Sequence, residues 1–169
     1  MPAEPFIFRF AAVLLAALSP TLWALPDDRS QPIQIEANQA MRDDARGLTV
    51  YEGDVVITQG SILIRADKVS IFGDGRQVTR VVGEGNPAHY EQVPEVGKPP
   101  VVARARTISY EVGSEKIILT RDASLRQEEA TLTGERIEYD LLQEIIRAQG
   151  GDDNQRIRMV IPPSQQGAD

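Results

Sequence analysis

From Ile33 to Met159 apolar and polar residues alternate with a period of two, and no other feature of the chain constrains its fold as much. Ile33, Ile35 and Ala37 alternate with polar partners. So do Val55/Ile57, Ile62/Ile64, Val69/Ile71, Ile108/Tyr110/Val112, Ile117/Leu119 and Ile137/Tyr139. Successive side chains of a strand point to opposite faces, so each run presents one apolar and one polar face, as half-buried antiparallel strands do. Turn residues punctuate the runs: Gly47, Gly53, Gly60, Gly73-Asp74-Gly75, Gly83, Gly113, Gly134 and Gly150-Gly151. Their spacing predicts many short strands joined by hairpins. Abundant Val, Ile and Thr favour sheet over helix. Glu91 to Pro100, with Pro94, Gly97, Pro99 and Pro100, reads as the one long loop.

Two short patterns recur. In the first, a small residue and a polar residue are followed by an apolar residue at the fourth position and a large apolar one at the sixth. It is clear in Ala66-Asp67-Lys68-Val69-Ser70-Ile71, Ala105-Arg106-Thr107-Ile108-Ser109-Tyr110 and Gly134-Glu135-Arg136-Ile137-Glu138-Tyr139, and degraded in Ala37-Asn38-Gln39-Ala40-Met41. The second is apolar-x-apolar-x-Gln: Val55-Val56-Ile57-Thr58-Gln59, Ala88-His89-Tyr90-Glu91-Gln92 and Ala123-Ser124-Leu125-Arg126-Gln127. Segments 54–71 and 122–139 align without a gap at an offset of 68 residues. Repeated strand pairs stack because none can bury its apolar face alone. The expected fold is therefore all-β, an elongated sandwich or jelly roll of two packed antiparallel sheets around a long apolar seam. A seam open along one side becomes a groove suited to fatty acyl chains, since each methylene removed from water contributes roughly 0.8 kcal/mol.

The N-terminal segment stands outside this pattern. Phe6 to Leu18 is apolar apart from Arg9, Ser19-Pro20 breaks the run, and Ala24 precedes Leu25-Pro26-Asp27. This reads as a signal peptide over 1–24 with cleavage after Ala24. An uncleaved membrane anchor is the alternative, but the run falls short of the roughly 20 apolar residues that span a bilayer. The jellyroll domain is expected over 25–161, and 162–169 reads as a flexible C-terminal tail. Removal of 1–24 takes away Glu4 and Arg9 and leaves the net charge at −7. So acidic a chain is a poor nonspecific binder of nucleic acid or anionic lipid. With no cysteine, it has neither disulfides nor thiolate metal ligands.

Catalytic signals are weak. The single histidine, His89, falls on the polar phase of its strand, so neither a His-rich metal site nor a Ser-His-Asp triad is supported. Gly73-Asp74-Gly75 and Gly83-Glu84-Gly85 do not extend into a phosphate-binding loop. The acidic pairs Asp43/Asp44, Glu52/Asp54, Glu128/Glu129 and Asp152/Asp153 read as solvated turns rather than a glycosidase pair. No enzyme activity, cofactor or metal is expected.

Several longer stretches carry a family resemblance. They are Gln31-Pro32-Ile33-Gln34-Ile35-Glu36-Ala37, Tyr51-Glu52-Gly53-Asp54-Val55-Val56-Ile57-Thr58-Gln59-Gly60, Ile64-Arg65-Ala66-Asp67-Lys68-Val69 and Gly85-Asn86-Pro87-Ala88-His89-Tyr90-Glu91-Gln92. Ile108-Ser109-Tyr110-Glu111, Leu119-Thr120, Leu125-Arg126-Gln127 and Gly134-Glu135-Arg136-Ile137-Glu138-Tyr139 complete the set. In order and spacing the sequence resembles the LptA/OstA family, the periplasmic bridge of lipopolysaccharide export, over about residues 31–165. The resemblance implies an elongated open β-jellyroll, OstA-like, whose interior holds the acyl chains of lipid A. It implies a carrier that receives lipopolysaccharide from an inner-membrane-anchored partner of the same fold. The carrier passes it to the N-terminal domain of the outer-membrane translocon, and copies join head to tail through edge strands. Carried over by position, the residues contacting lipid are Ile33, Ile35, Tyr90, Tyr110 and Val112. The alternation places all five on the apolar phase. The residues alone leave three other readings open: the membrane-anchored partner itself, a ligand-free adaptor assembling through its edges, and a carbohydrate-acting enzyme on a β scaffold.

Overall fold

The strands form a single hydrogen-bonded sheet. A computed structural model describes residues 28–73, 77–94, 97–151 and 156–163. A short 3-10 turn, Asp28–Ser30, precedes β1 (Gln34–Glu36) and β2 (Gln39–Asp43). Six long strands follow: β3 (Leu48–Gln59), β4 (Ile62–Gly73), β5 (Val78–Gln92), β6 (Val101–Glu111), β7 (Lys116–Gln127) and β8 (Ala130–Asp140). β9 (Ile145–Gln149) and β10 (Arg158–Val160) end the series. The long strands pair with their sequence neighbours, all antiparallel. β1 and β2 share the outer edge of β3, and β9 and β10 share that of β8.

The strands are longer than the glycine spacing predicts, because three glycines expected in turns lie within strands. Gly53 is inside β3, Gly83 inside β5 and Gly134 inside β8. Pairing on both sides holds Gly83 in the ladder, between Val69 and Ile108. Gly53 marks a bulge instead. Its φ of 82° and the φ of 48° at Asp54 are left-handed, and the register with β4 shifts between Glu52 and Val55. Shifts recur between Arg65 and Lys68, Glu84 and Ala88, Arg104 and Thr107, and Thr120 and Ala123. A bulge bends its strand. Lined up across neighbours, these bulges fold the sheet along one line, giving two half-sheets that close on a shared core.

The small-residue pattern marks this line. Val55 pairs with Ala66, Ala88 with Ala105, and Ala123 with Gly134. Small side chains suit the place where the half-sheets converge. An inward residue followed by another three positions later, as at Ala66/Val69 and Ala105/Ile108, breaks the period of two and requires the bulge. The repeat at offset 68 is structural too. β3 and β7 coincide at that offset, and the left-handed pair Gly53-Asp54 matches Arg121-Asp122.

Beyond the bend, inward residues form rows. One half carries Ile35, Ile57, Ile64, Tyr90, Ala103, Leu125 and Leu132. The other carries Tyr51, Val69, Gly83, Ile108, Leu119, Ile137 and Ala148, then Ile71, Val81, Tyr110, Ile117 and Tyr139. They pack into one apolar cluster in which Val69, Leu119 and Ile137 have no exposure at all. Among the described residues no α-helix covers either face, and each half-sheet buries the other.

Candidate functional site

The interior is sealed at the bend and in the middle, and loosens toward the hairpin tips. Ile35, Ile62, Ile64, Ile71, Val81, Tyr110, Leu132 and Leu141 face the core cluster yet remain partly exposed. They flank the seam between two lips, one formed by the β3–β4, β5–β6 and β7–β8 turns and the other by the turns at the opposite strand ends. Here the apolar interior meets solvent.

Of the five residues expected to contact lipid, Ile35, Tyr90 and Tyr110 belong to the core cluster or pack against it. Tyr90 is buried in the first half-sheet, in the same row as half-buried Ile35. Tyr110 belongs to the second half-sheet and is half-buried. Val112, also half-buried, lies just past β6 on the second lip, where its N–H donates to the Thr79 carbonyl at 3.0 Å. Ile33 stands apart: it precedes β1, is 54% exposed and does not join the core cluster. The partly exposed rim residues Ile62, Ile64, Ile71, Val81, Leu132 and Leu141 were not singled out from sequence as contact residues. Ile62, Ile64 and Ile71 fall in the alternating runs of the sequence, but alternation does not show how close a strand position is to a lip.

Tyr90 anchors a polar network at the first lip. Its hydroxyl donates to Gln92 Oε1 at 2.6 Å, and Gln92 Nε2 donates to Asp28 Oδ2 at 2.9 Å. Asp28 also accepts the Ser61 N–H at 2.6 Å and the Ser61 hydroxyl at 2.8 Å. Gln59 Nε2 donates to the Gln31 carbonyl at 3.1 Å. The segment 28–31 is thus fastened over the tips of β3 and β5. Burial pushes the Tyr90 hydroxyl well above the ordinary tyrosine value, and Tyr110, Asp28 and Tyr139 add to the shift. Tyr139 is raised too, mainly by burial.

Of the residues weighed for catalysis, His89, Asp43, Asp44 and Glu52 make their contacts outside the seam. His89 is on the outer face, 3.3 Å from Glu91, and its Nδ1 accepts Arg104 Nε at 3.4 Å. Asp43 accepts the Arg46 N–H at 3.1 Å, Asp44 pairs with Arg42 at 2.6 Å and Glu52 with Lys68 at 2.9 Å. Among the described residues no three metal-ligating side chains gather, and no helix is long and apolar enough to cross a membrane. The expected signal peptide, Asp152/Asp153 and the tail from residue 164 onward lie outside the described residues.

Comparison with known proteins decides the family. Residues 34–145 match the family described as LptA/(LptD N-terminal domain) LPS transport protein. The chain belongs to the LptA family. Among its relatives is the lipopolysaccharide export system protein LptH of Pseudomonas aeruginosa, 38% identical over 168 residues, covering 95% of this chain and 94% of that protein. Another is LptA of Escherichia coli K12, 35% identical over 157 residues, covering 92% of this chain and 83% of LptA. The crystal structure of P. aeruginosa LptH superposes with a TM-score of 0.74 at 39% identity, covering 82% of this chain and all of that one. LptH is described there as the LptA-homologous periplasmic component of a conserved lipopolysaccharide transport device. The all-β fold expected from the alternation, and the open jellyroll that the resemblance implies, is thus the fold of an LptA-family chain.

Proposed function

We propose that this LptA-family chain is a periplasmic carrier of lipopolysaccharide that holds the lipid A acyl chains between its half-sheets and bridges the inner and outer membranes. The carrying observation is the loosening of the apolar interior toward the lips, where Ile35 and Tyr110 pack against the core while remaining partly exposed. Binding there needs no directional chemistry, because acyl chains gain from burial alone. The chain would receive its cargo from an inner-membrane-anchored partner of the same fold and deliver it to the N-terminal domain of the outer-membrane translocon. Both sheet edges end in short strands, and the C-terminal one exposes Met159, Val160 and Ile161. Unpaired edges of this kind extend by strand addition, which supports head-to-tail assembly.

The test is co-purification of the protein, begun at Leu25, with lipopolysaccharide. Wild type is expected to retain the lipid. Ile35→Asp is expected to lose it while keeping the wild-type circular dichroism, because the half-buried rim position tolerates a solvated carboxylate. No co-purification, or equal retention by both proteins, overturns the reading. The sealed middle of the core favours one alternative, a ligand-free adaptor. Concentration-dependent oligomers that take up no lipid would establish that instead.

A further inference from the structure

The motif apolar-x-apolar-x-Gln recurs three times, and filling a core does not require its glutamine. In each copy the two apolar residues point into the interior, and alternation sends the glutamine to the same face at the strand end. The register pairs Gln59 with Ile62, Gln92 with Val101 and Gln127 with Ala130, and extending the ladders by one residue beyond Leu63–Glu91 and Val102–Arg126 sets all six along one row. That row is the first lip. It lies one two-residue step, roughly 7 Å, above the row containing Ile57, Tyr90 and Leu125. Its amides occupy every second strand, about 10 Å apart by the usual strand spacing.

We infer that Gln59, Gln92 and Gln127 form a hydrogen-bonding subsite for the polar linkages that join acyl chains to their headgroup: ester, amide and hydroxyl groups. This rests on the carrier reading and assigns the part of the ligand held at the lip. Two observations carry it. Along that row the polar side chains are neutral amides, which both donate and accept, as uncharged carbonyls and hydroxyls require. Two of the three already hold oxygen acceptors in this structure: Gln59 donates to the Gln31 carbonyl and Gln92 to the Asp28 carboxylate. The segment 28–31 thus sits where the ligand's linkages would sit, and a ligand engaging Gln59 and Gln92 displaces it. Gln127 is exposed, and among the described residues nothing pairs with its side chain.

Gln127→Leu is the discriminating variant, because it removes an amide without breaking a bond within the protein. Affinity for purified lipopolysaccharide is measured beside thermal stability. The subsite predicts binding about tenfold weaker, the usual effect of losing one hydrogen bond to a ligand, at an unchanged midpoint. Gln127→Asn, which keeps the amide, is expected to recover part of the loss. A purely apolar lip predicts the opposite sign, since leucine adds greasy surface. Unchanged or tighter binding by Gln127→Leu therefore overturns the subsite and leaves the carrier reading standing. Failure of the wild type to bind lipopolysaccharide overturns the carrier reading, and the subsite with it.

Discussion

Asn38 and Gly53 lock the N-terminal edge to the bend of β3. The Asn38 N–H donates to the Gly53 carbonyl at 3.0 Å, and a Cβ on Gly53 would lie 2.6 Å from Asn38 Nδ2. Gly53 also holds a left-handed φ of 82°. Gly53→Ala therefore meets both a clash and an unfavourable backbone, and is expected to lose roughly 1–3 kcal/mol of stability in urea denaturation. Gly113 has nothing within 4 Å of an added Cβ, so Gly113→Ala is the control and should change stability by less than about 0.5 kcal/mol.

The sealed middle of the core should respond to truncation as a close-packed interior does. Leu119 is fully buried, and Leu119→Ala is expected to cost about 2–5 kcal/mol by leaving a cavity. Leu142 is 67% exposed, and Leu142→Ala should stay within about 0.5 kcal/mol of wild type. Equal unfolding midpoints for the two variants would contradict the packing described.

Tyr90 gives the fold a dependence on alkaline pH. Its hydroxyl ionises above the ordinary tyrosine range in the folded chain, chiefly through burial. The unfolded chain, with its tyrosine near a pKa of about 10, sheds the proton first, so stability is full below that pH and falls as pH rises above it. The urea midpoint should drop between pH 9 and pH 11, and Tyr90→Phe should flatten the drop. At pH 9 the same variant should lose about 1 kcal/mol, because Gln92 loses its donor. Phenolate absorbance of the folded protein should show Tyr90 silent until unfolding.

A photo-crosslinking residue at Ile35, Tyr110 or Val112 should yield adducts with lipopolysaccharide, because Ile35 and Tyr110 pack against the core while partly exposed and half-buried Val112 lies just past β6. Tyr90, at the seam floor, should react less, and exposed Ile33 should react only if acyl chains extend beyond β1. Arg126 lies on the outer phase of β7 and serves as the negative control. Adducts at Arg126 equal to those at Tyr110 would place the lipid on the outer surface.

Much of the fold was legible. Alternation identified the strands and their inward faces because the period of two is a local property of the chain. The bend was written in the sequence as well, in the three-residue gap after Ala66, Ala105 and Gly134, but it reads as a bulge only once the partner's register is known. Gly53, Gly83 and Gly134 were placed in turns because a glycine letter does not tell a hairpin tip from a strand interior. The contact residues were legible as inward-facing. Their distance from a lip was not, so Ile33 and Tyr90 look alike in the sequence and differ in exposure.

By itself the sequence determined the β class, the apolar phase of the long strands, the repeat at offset 68 and the family, because all of these are properties of residue order. The tertiary structure alone decided that the strands form one folded sheet, that the middle of the seam is sealed while its rim loosens, and that Asp28, Ser61, Tyr90 and Gln92 meet at one lip. Such features depend on register between strands far apart in the chain, and register is settled only when bulges, small residues and hairpin lengths act together.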